Sequence, residues 1–188
     1  MHCHNKKGGI FLNTKRLTTM SLLTSMALII FIVEANLPSL TPIPGIKLGL
    51  SNIITVYAIF TLGPLDTFLI LLCRIILGSI FSGNMSTLLY SFSGGLFCYT
   101  SMLIIRNFLT LKQIWICSVI SAIFHNIGQI TVAILITNTI SLIYYFPILT
   151  VSAIISGTFT GLCSQYLINR LNAVSYTHLR AHETLRHL

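Results

Sequence analysis

Few side chains in this sequence can do chemistry, and most of those that can interrupt long apolar runs. Arg74 lies in Leu69-Ile70-Leu71-Leu72-Cys73-Arg74-Ile75-Ile76-Leu77, and His125, Asn126 and Gln129 lie in the run that starts at Ile114. Glu34 and Asn36 close the first apolar run, while Lys47 and Asn52 flank the resumption of the second. A charge at the centre of a bilayer costs on the order of 2.5–3.5 kcal/mol on insertion scales, so such residues face protein, a cavity or a ligand. Arginine offers a planar fork that matches carboxylate or phosphate. Imidazole and amide groups can donate and accept. His125 and Gln129, four residues apart, share one face of a helix. The set can hold a polar molecule.

It cannot easily break bonds in one. Only three acids occur, Glu34, Asp66 and Glu183. Magnesium-assisted diphosphate chemistry needs several carboxylate oxygens in clusters, and one aspartate outside the C-terminal tail cannot build two. Serines are abundant, but no Gly-x-Ser-x-Gly elbow presents one as a nucleophile. A Walker lysine motif is missing too, so any ATP dependence must come from partner chains. The five cysteines lack metal-ligand spacing, and four of them lie in apolar segments as small buried groups. Neither His2-Cys3-His4 nor the His178/His182 pair has a third partner that would make a zinc site. No catalytic residue, metal or cofactor is expected.

The elements that must position these residues follow from composition. Hydrophobic residues make up 54% of the 188 and charged residues only 7%, where a soluble domain carries about 25%. That deficit, with a mean hydropathy of +0.88, identifies an all-α, polytopic membrane protein. Six runs approach the roughly 20 residues a bilayer needs, at about 17–37, 47–63, 65–82, 86–106, 113–136 and 143–169. The first is too long for the core of a signal peptide and has no clean cleavage site. The net charge of +8 does not imply nucleic acid, because the cations are scattered between apolar runs. With the N-terminus inside, Lys6, Lys7, Lys15, Arg16, Arg106, Lys112 and Arg170 fall on the cytoplasmic side and Lys47 alone on the other, a positive-inside pattern that puts both termini in the cytoplasm. Residues 1–16 then form a basic cytoplasmic terminus and 17–171 the membrane domain. Residues 172–188 change character abruptly, resemble translated adapter sequence, and are set aside from functional reasoning.

The stretch Thr41-Pro42-Ile43-Pro44-Gly45-Ile46-Lys47-Leu48-Gly49-Leu50-Ser51-Asn52-Ile53 breaks the helical pattern, since proline lacks an amide donor and glycine carries a high entropic cost. It reads as a rigid connection at the outer surface. On this topology Arg74, His125 and Asn126 lie near mid-membrane. Gln129, Asn52 and Glu34 lie further out, with Tyr90, Ser93, Gly94 and Gly95 in the outer half of the fourth span. The candidates converge beneath the Pro-Gly connection. Glu34 nonetheless sits about 10 Å above Arg74 by helical rise, which argues against a tight pair.

The segment from Pro44 to Ile53 resembles the signature of a bacterial membrane family labelled both heptaprenyl diphosphate synthase component I and Gx transporter. That family is similar to the substrate-binding S components of energy-coupling-factor (ECF) transporters. Glu34, Arg74, Ser93-Gly94-Gly95 and His125-Asn126-Ile127-Gly128-Gln129 extend the resemblance over residues 17–171. It implies an S-component-like bundle in which Pro44 and Gly45 belong to a lid over an outward pocket. A small anionic or zwitterionic substrate would be held by Glu34, Lys47, Asn52, Arg74, His125, Asn126 and Gln129. A coupling subunit and ATPases would supply energy. In S components small residues on the first helix meet the coupling subunit; Ser21 and Ser25 occupy the matching positions here. The second label implies a different role, a non-catalytic membrane subunit of a heptaprenyl diphosphate synthase in isoprenoid and menaquinone biosynthesis. A third reading is a membrane protein that binds only other proteins.

Each candidate also has a purely structural reading. Glu34 can sit among headgroups, Lys47 can snorkel to anionic lipid, and Arg74 can pair with a carbonyl or carboxylate. His125, Asn126 and Gln129 can form an interhelical network. Asp66, at a helix start, is read as a favourable charge on the dipole, and Ala153, Gly157 and Gly161 as an internal packing stripe.

Overall fold

The computed structural model describes residues 14–36, 49–83, 85–110 and 113–186. Among these the chain is all-helical: α1 (Thr14–Ala35), α2 (Asn52–Thr61), α3 (Pro64–Ser82), α4 (Met85–Ile105), α5 (Ile114–Thr137), a 3₁₀ segment (Ile140–Tyr145) and α6 (Phe146–Arg186). Five of the six α-helices are long and apolar enough to cross a membrane. Among the described residues the molecule is a bundle of six α-helices with the spans of a multi-pass membrane protein.

The second run departs from its expected span of 47–63. Its helix has only ten residues, about 15 Å at 1.5 Å per residue, half of a bilayer core. Both of its limits are set by glycine. Gly49, before it, has φ +78°, and Gly63, after it, has φ +101°. A side chain is strained in that region of backbone space. Pro64 follows at the first position of α3, where its missing N–H costs nothing. The other predicted spans hold within a few residues at most ends. The sixth is the exception: the expected 143–169 is preceded by a 3₁₀ turn and continues in helical backbone through the set-aside segment to Arg186.

Short as it is, α2 occupies the hub, touching α1, α3, α4, α5 and α6. Val56 and Ala58 are wholly buried there. One core cluster joins Val56 and Ile59 to Leu71, Ile75, Met102 and Ile114. A second joins Ile54 and Ala58 to Leu23, Ala27 and Ile70. The bundle's outer surface is apolar instead of charged, as at Leu22, Ile29, Ile80 and Ile155, each more than 60% exposed. That inversion suits lipid as the surrounding solvent.

Arg16, Asp66 and Arg106 lie toward one end. Arg16, in the first turn of α1, donates to both oxygens of Asp66 in the first turn of α3, at 2.7 and 2.5 Å. Asp66 therefore does more than complement the α3 dipole. Arg106, just after α4, donates to the Ile59 carbonyl at 3.3 Å, and the Tyr99 hydroxyl donates to the Pro64 carbonyl at 2.9 Å. The α5–α6 seam is the close backbone contact that the small-residue stripe suggests. A Cβ on Gly161 would lie 2.5 Å from the Trp115 Cα, and one on Gly157 2.8 Å from that of Val119. Ser21 and Ser25 lie on the exposed side of α1, the Ser25 hydroxyl donating back to the Ser21 carbonyl at 2.9 Å.

Candidate functional site

Four helices and the segment 49–51 enclose a small polar cavity. Arg74 enters it from α3, Glu34 and Phe31 from α1, Ser91 from α4, and His125 with Gln129 from α5. All four of the polar candidates are buried: Glu34 is 5% exposed, Arg74 3%, His125 5% and Gln129 1%. The segment 49–51 is tied on both sides. The Gly49 N–H donates to Glu34 Oε1, and Arg74 Nη1 donates to Ser51 Oγ. The helical rise that separates Arg74 from Glu34 is kept in the structure, where the guanidinium bonds to Ser51 and the described ion pair is Arg16–Asp66.

Glycines let the polar side chains reach this point. Gly94 on α4 faces His125 and Gln129, so closely that a Cβ there would lie 2.9 Å from His125 Cε1 and 2.9 Å from Gln129 Cγ. Gly128 on α5 meets the α4 backbone, where a Cβ would lie 2.8 Å from the Ser93 carbonyl oxygen. The Ser93 hydroxyl donates to the Gly128 carbonyl at 2.8 Å and locks the same contact. A Cβ on Gly49 would lie 3.5 Å from His125 Cδ2 and 3.0 Å from Asn52 Nδ2. The α4–α5 pair thus approaches backbone to backbone, and His125 and Gln129 project beside the crossing.

Several polar atoms here find no hydrogen-bond partner among the described residues: Arg74 Nε, His125 Nδ1, Gln129 Oε1 and both amide atoms of Asn52. A buried polar group left unpaired costs about 1–3 kcal/mol. Donors and acceptors are both represented, so a molecule with both kinds of group is matched. The cavity itself measures about 10 Å³, room for about one water. Anything larger than a compact polar head requires its walls to part.

Of the residues singled out in the sequence, Glu34, Arg74, His125 and Gln129 come together, with Asn52 beside them. Asn126 turns away: its Nδ2 donates to the Leu149 carbonyl on α6 at 2.7 Å, since adjacent helical positions point about 100° apart. Tyr90 packs with Ile130, Ala133 and Leu149. Lys47, Pro44 and Gly45 lie outside the described residues. Ser51, Ser91 and Phe31 line the cavity and were not foreseen. The one available signal was the place of Ser51 next to Asn52 at the end of the helix-breaking stretch.

Comparison with known proteins bears on this arrangement. The family model described as heptaprenyl diphosphate synthase component I matches residues 23–167. Among solved structures, the S component of a bacterial ECF transporter superposes with a TM-score of 0.58 at 22% identity, covering 88% of this chain and 98% of that one. No curated protein matches the sequence.

Proposed function

Since the chain belongs to the heptaprenyl diphosphate synthase component I family and has the fold of an ECF-transporter S component, we propose that it is the substrate-binding membrane component of a small-molecule uptake system. The observation that carries this reading is the cavity at Arg74, where buried donors and acceptors from α3, α5 and the start of α2 converge unpaired. Elsewhere among the described residues Ser118 and Thr160 satisfy one another at 2.8 Å, and single amide oxygens of Asn126 and Gln165 are unpaired without gathering into a cluster. Arg74, Asn52, His125 and Gln129 are the binding residues. Glu34 holds the wall through Gly49. Buried donors and acceptors together suit a substrate group that both donates and accepts hydrogen bonds. Energy comes from a coupling subunit and ATPases supplied by other chains. The exposed face of α1 that carries Ser21 and Ser25 is the surface such a subunit would meet.

Native mass spectrometry of the purified chain tests the reading. Wild-type protein is expected to retain a small molecule that Gln129→Leu releases at least tenfold, while the unfolding temperature stays within a few degrees. Retention unaffected by Gln129→Leu would remove the cavity as the binding site.

The orientation belongs to the same proposal. The end carrying Arg16, Asp66 and Arg106 faces the cytoplasm, and the cavity opens toward the other side. In a cysteine-free background, a cysteine at Asn138, in the turn after α5, is expected to react with an impermeant maleimide in intact cells. One at Asn107 is expected to react only after lysis. The reverse pattern would invert the uptake direction.

A further inference from the structure

Building on the substrate-binding reading of the Arg74 cavity, we propose that the ligand is an amphiphile: a compact head that both donates and accepts hydrogen bonds reaches the polar cavity, and an apolar tail lies in a furrow along α6. The two spaces are separated by one residue. Gly49 and Ser51 line the polar cavity, whereas Leu50 between them lines the furrow. Their sizes differ greatly. The polar cavity measures about 10 Å³ and the furrow about 520 Å³. Ligand sites fall at about 300–1,000 Å³, so a ligand that uses the polar atoms finds space for its bulk next door.

The furrow exists because α2 starts late. The Ser164 hydroxyl donates to the Ile53 carbonyl at 3.1 Å, which puts the first turn of α2 level with Ser164. Residues 148–159 of α6 therefore extend beyond the start of α2. Ile148, Val151, Ile155 and Phe159, at helical spacing, form the wall opposite Leu50. The bond from Asn126 to the Leu149 carbonyl sets this stretch at the depth of His125. Head site and tail site thus lie side by side in the membrane. Val151 and Ile155 are 58% and 67% exposed, so the furrow is open to the bilayer and a tail can enter laterally.

The unpaired polar atoms select the head. A carboxamide-like group supplies the donor and the acceptor that Gln129 Oε1, Asn52 and Arg74 Nε call for. The tail gains little by exchanging lipid for apolar protein. Its contribution comes from being tethered to a bound head, which raises its effective concentration at the furrow. Losing either half should therefore lose most of the binding.

The test uses the full chain in phosphatidylcholine nanodiscs and dodecanamide carrying a diazirine at the end of its tail. Saturable cross-links are expected on residues 148–159, displaced by unlabelled dodecanamide and at least tenfold less well by dodecane. Val151→Trp/Ile155→Trp, which fills the furrow from exposed positions, and Arg74→Gln should each reduce labelling at least tenfold, with folding checked by circular dichroism. Labelling that does not saturate, or that a diazirine phosphatidylcholine reproduces, makes the furrow an ordinary lipid-facing surface and overturns the proposal. Displacement by acetamide as effective as by dodecanamide also overturns it, while leaving the polar cavity as the binding site. Labelling lost in the tryptophan variant but indifferent to Arg74→Gln overturns both readings.

Discussion

Gly128→Ala is expected to destabilise the bundle by about 1–3 kcal/mol and to abolish ligand retention, whereas Gly95→Ala is expected to do neither. Both changes add one methyl group to a helix buried in the bundle. They differ in what the methyl meets. At Gly128 it would lie 2.8 Å from the Ser93 carbonyl oxygen and 3.0 Å from the Gly94 Cα, backbone atoms that cannot swing aside. The helices must separate, with an overpacking cost of about 1–3 kcal/mol. At Gly95 the methyl would meet Ile75 Cδ1 at 3.0 Å and Leu71 Cδ1 at 3.3 Å, the far ends of flexible side chains. Separation of α4 from α5 also moves His125 and Gln129, which ride on α5 beside the crossing. Denaturant unfolding in detergent, with ligand retention measured on the same samples, checks the pair. Equal effects at the two glycines would show that the α4–α5 contact does not position the site.

The residues of the cavity were legible because the bilayer makes polar groups conspicuous. Arg74 among leucines and isoleucines, and His125 with Gln129 one turn on, needed no structure to be noticed. The serines did not stand out in the same way. Ser51 and Ser91 line the cavity, yet many other serines and threonines donate to a carbonyl three or four residues back in their own helix, as Ser25, Ser121 and Thr131 do. Sequence offers no rule for telling the two uses apart. Asn126 carried the opposite error, since polarity and adjacency to His125 say nothing about direction until the helix phase relative to α6 is known.

The fold was legible in kind and less so in length. Apolar runs locate helices, but a run cannot say where its helix starts when the preceding residues are also apolar. Leu48 and Leu50 extend the hydrophobic pattern of α2, and only the positive φ at Gly49 shows that the helix waits until Asn52. That delay has consequences out of proportion to three or four residues. It leaves 49–51 as a turn whose Gly49 N–H meets Glu34 and whose Ser51 hydroxyl meets Arg74, and it leaves the upper part of α6 uncovered by α2. The separation of Glu34 from Arg74 was legible from helical rise alone, and the guanidinium bonds to Ser51 instead.

Arg74→Met is expected to cost about 1–3 kcal/mol, because it leaves the buried Ser51 hydroxyl without its guanidinium donor. Ser51→Ala in the same chain is expected to restore part of that stability, since no hydroxyl is then left to satisfy. Binding should respond differently from stability. Arg74→Lys keeps the charge but loses the planar fork that reaches Ser51 while still presenting Nε to the cavity. It should retain most of the stability and bind ligand at least several-fold more weakly. Arg74→Gln should bind more weakly still. Arg74→Met with Ser51→Ala should fold and bind nothing. That dissociation is the decisive feature, because a purely structural arginine would have its effects on binding follow its effects on folding through the whole series. Unfolding and ligand retention measured on all four variants separate the cases. Full retention in the stabilised double variant would assign Arg74 to the scaffold and leave Asn52, His125 and Gln129 as the binding residues.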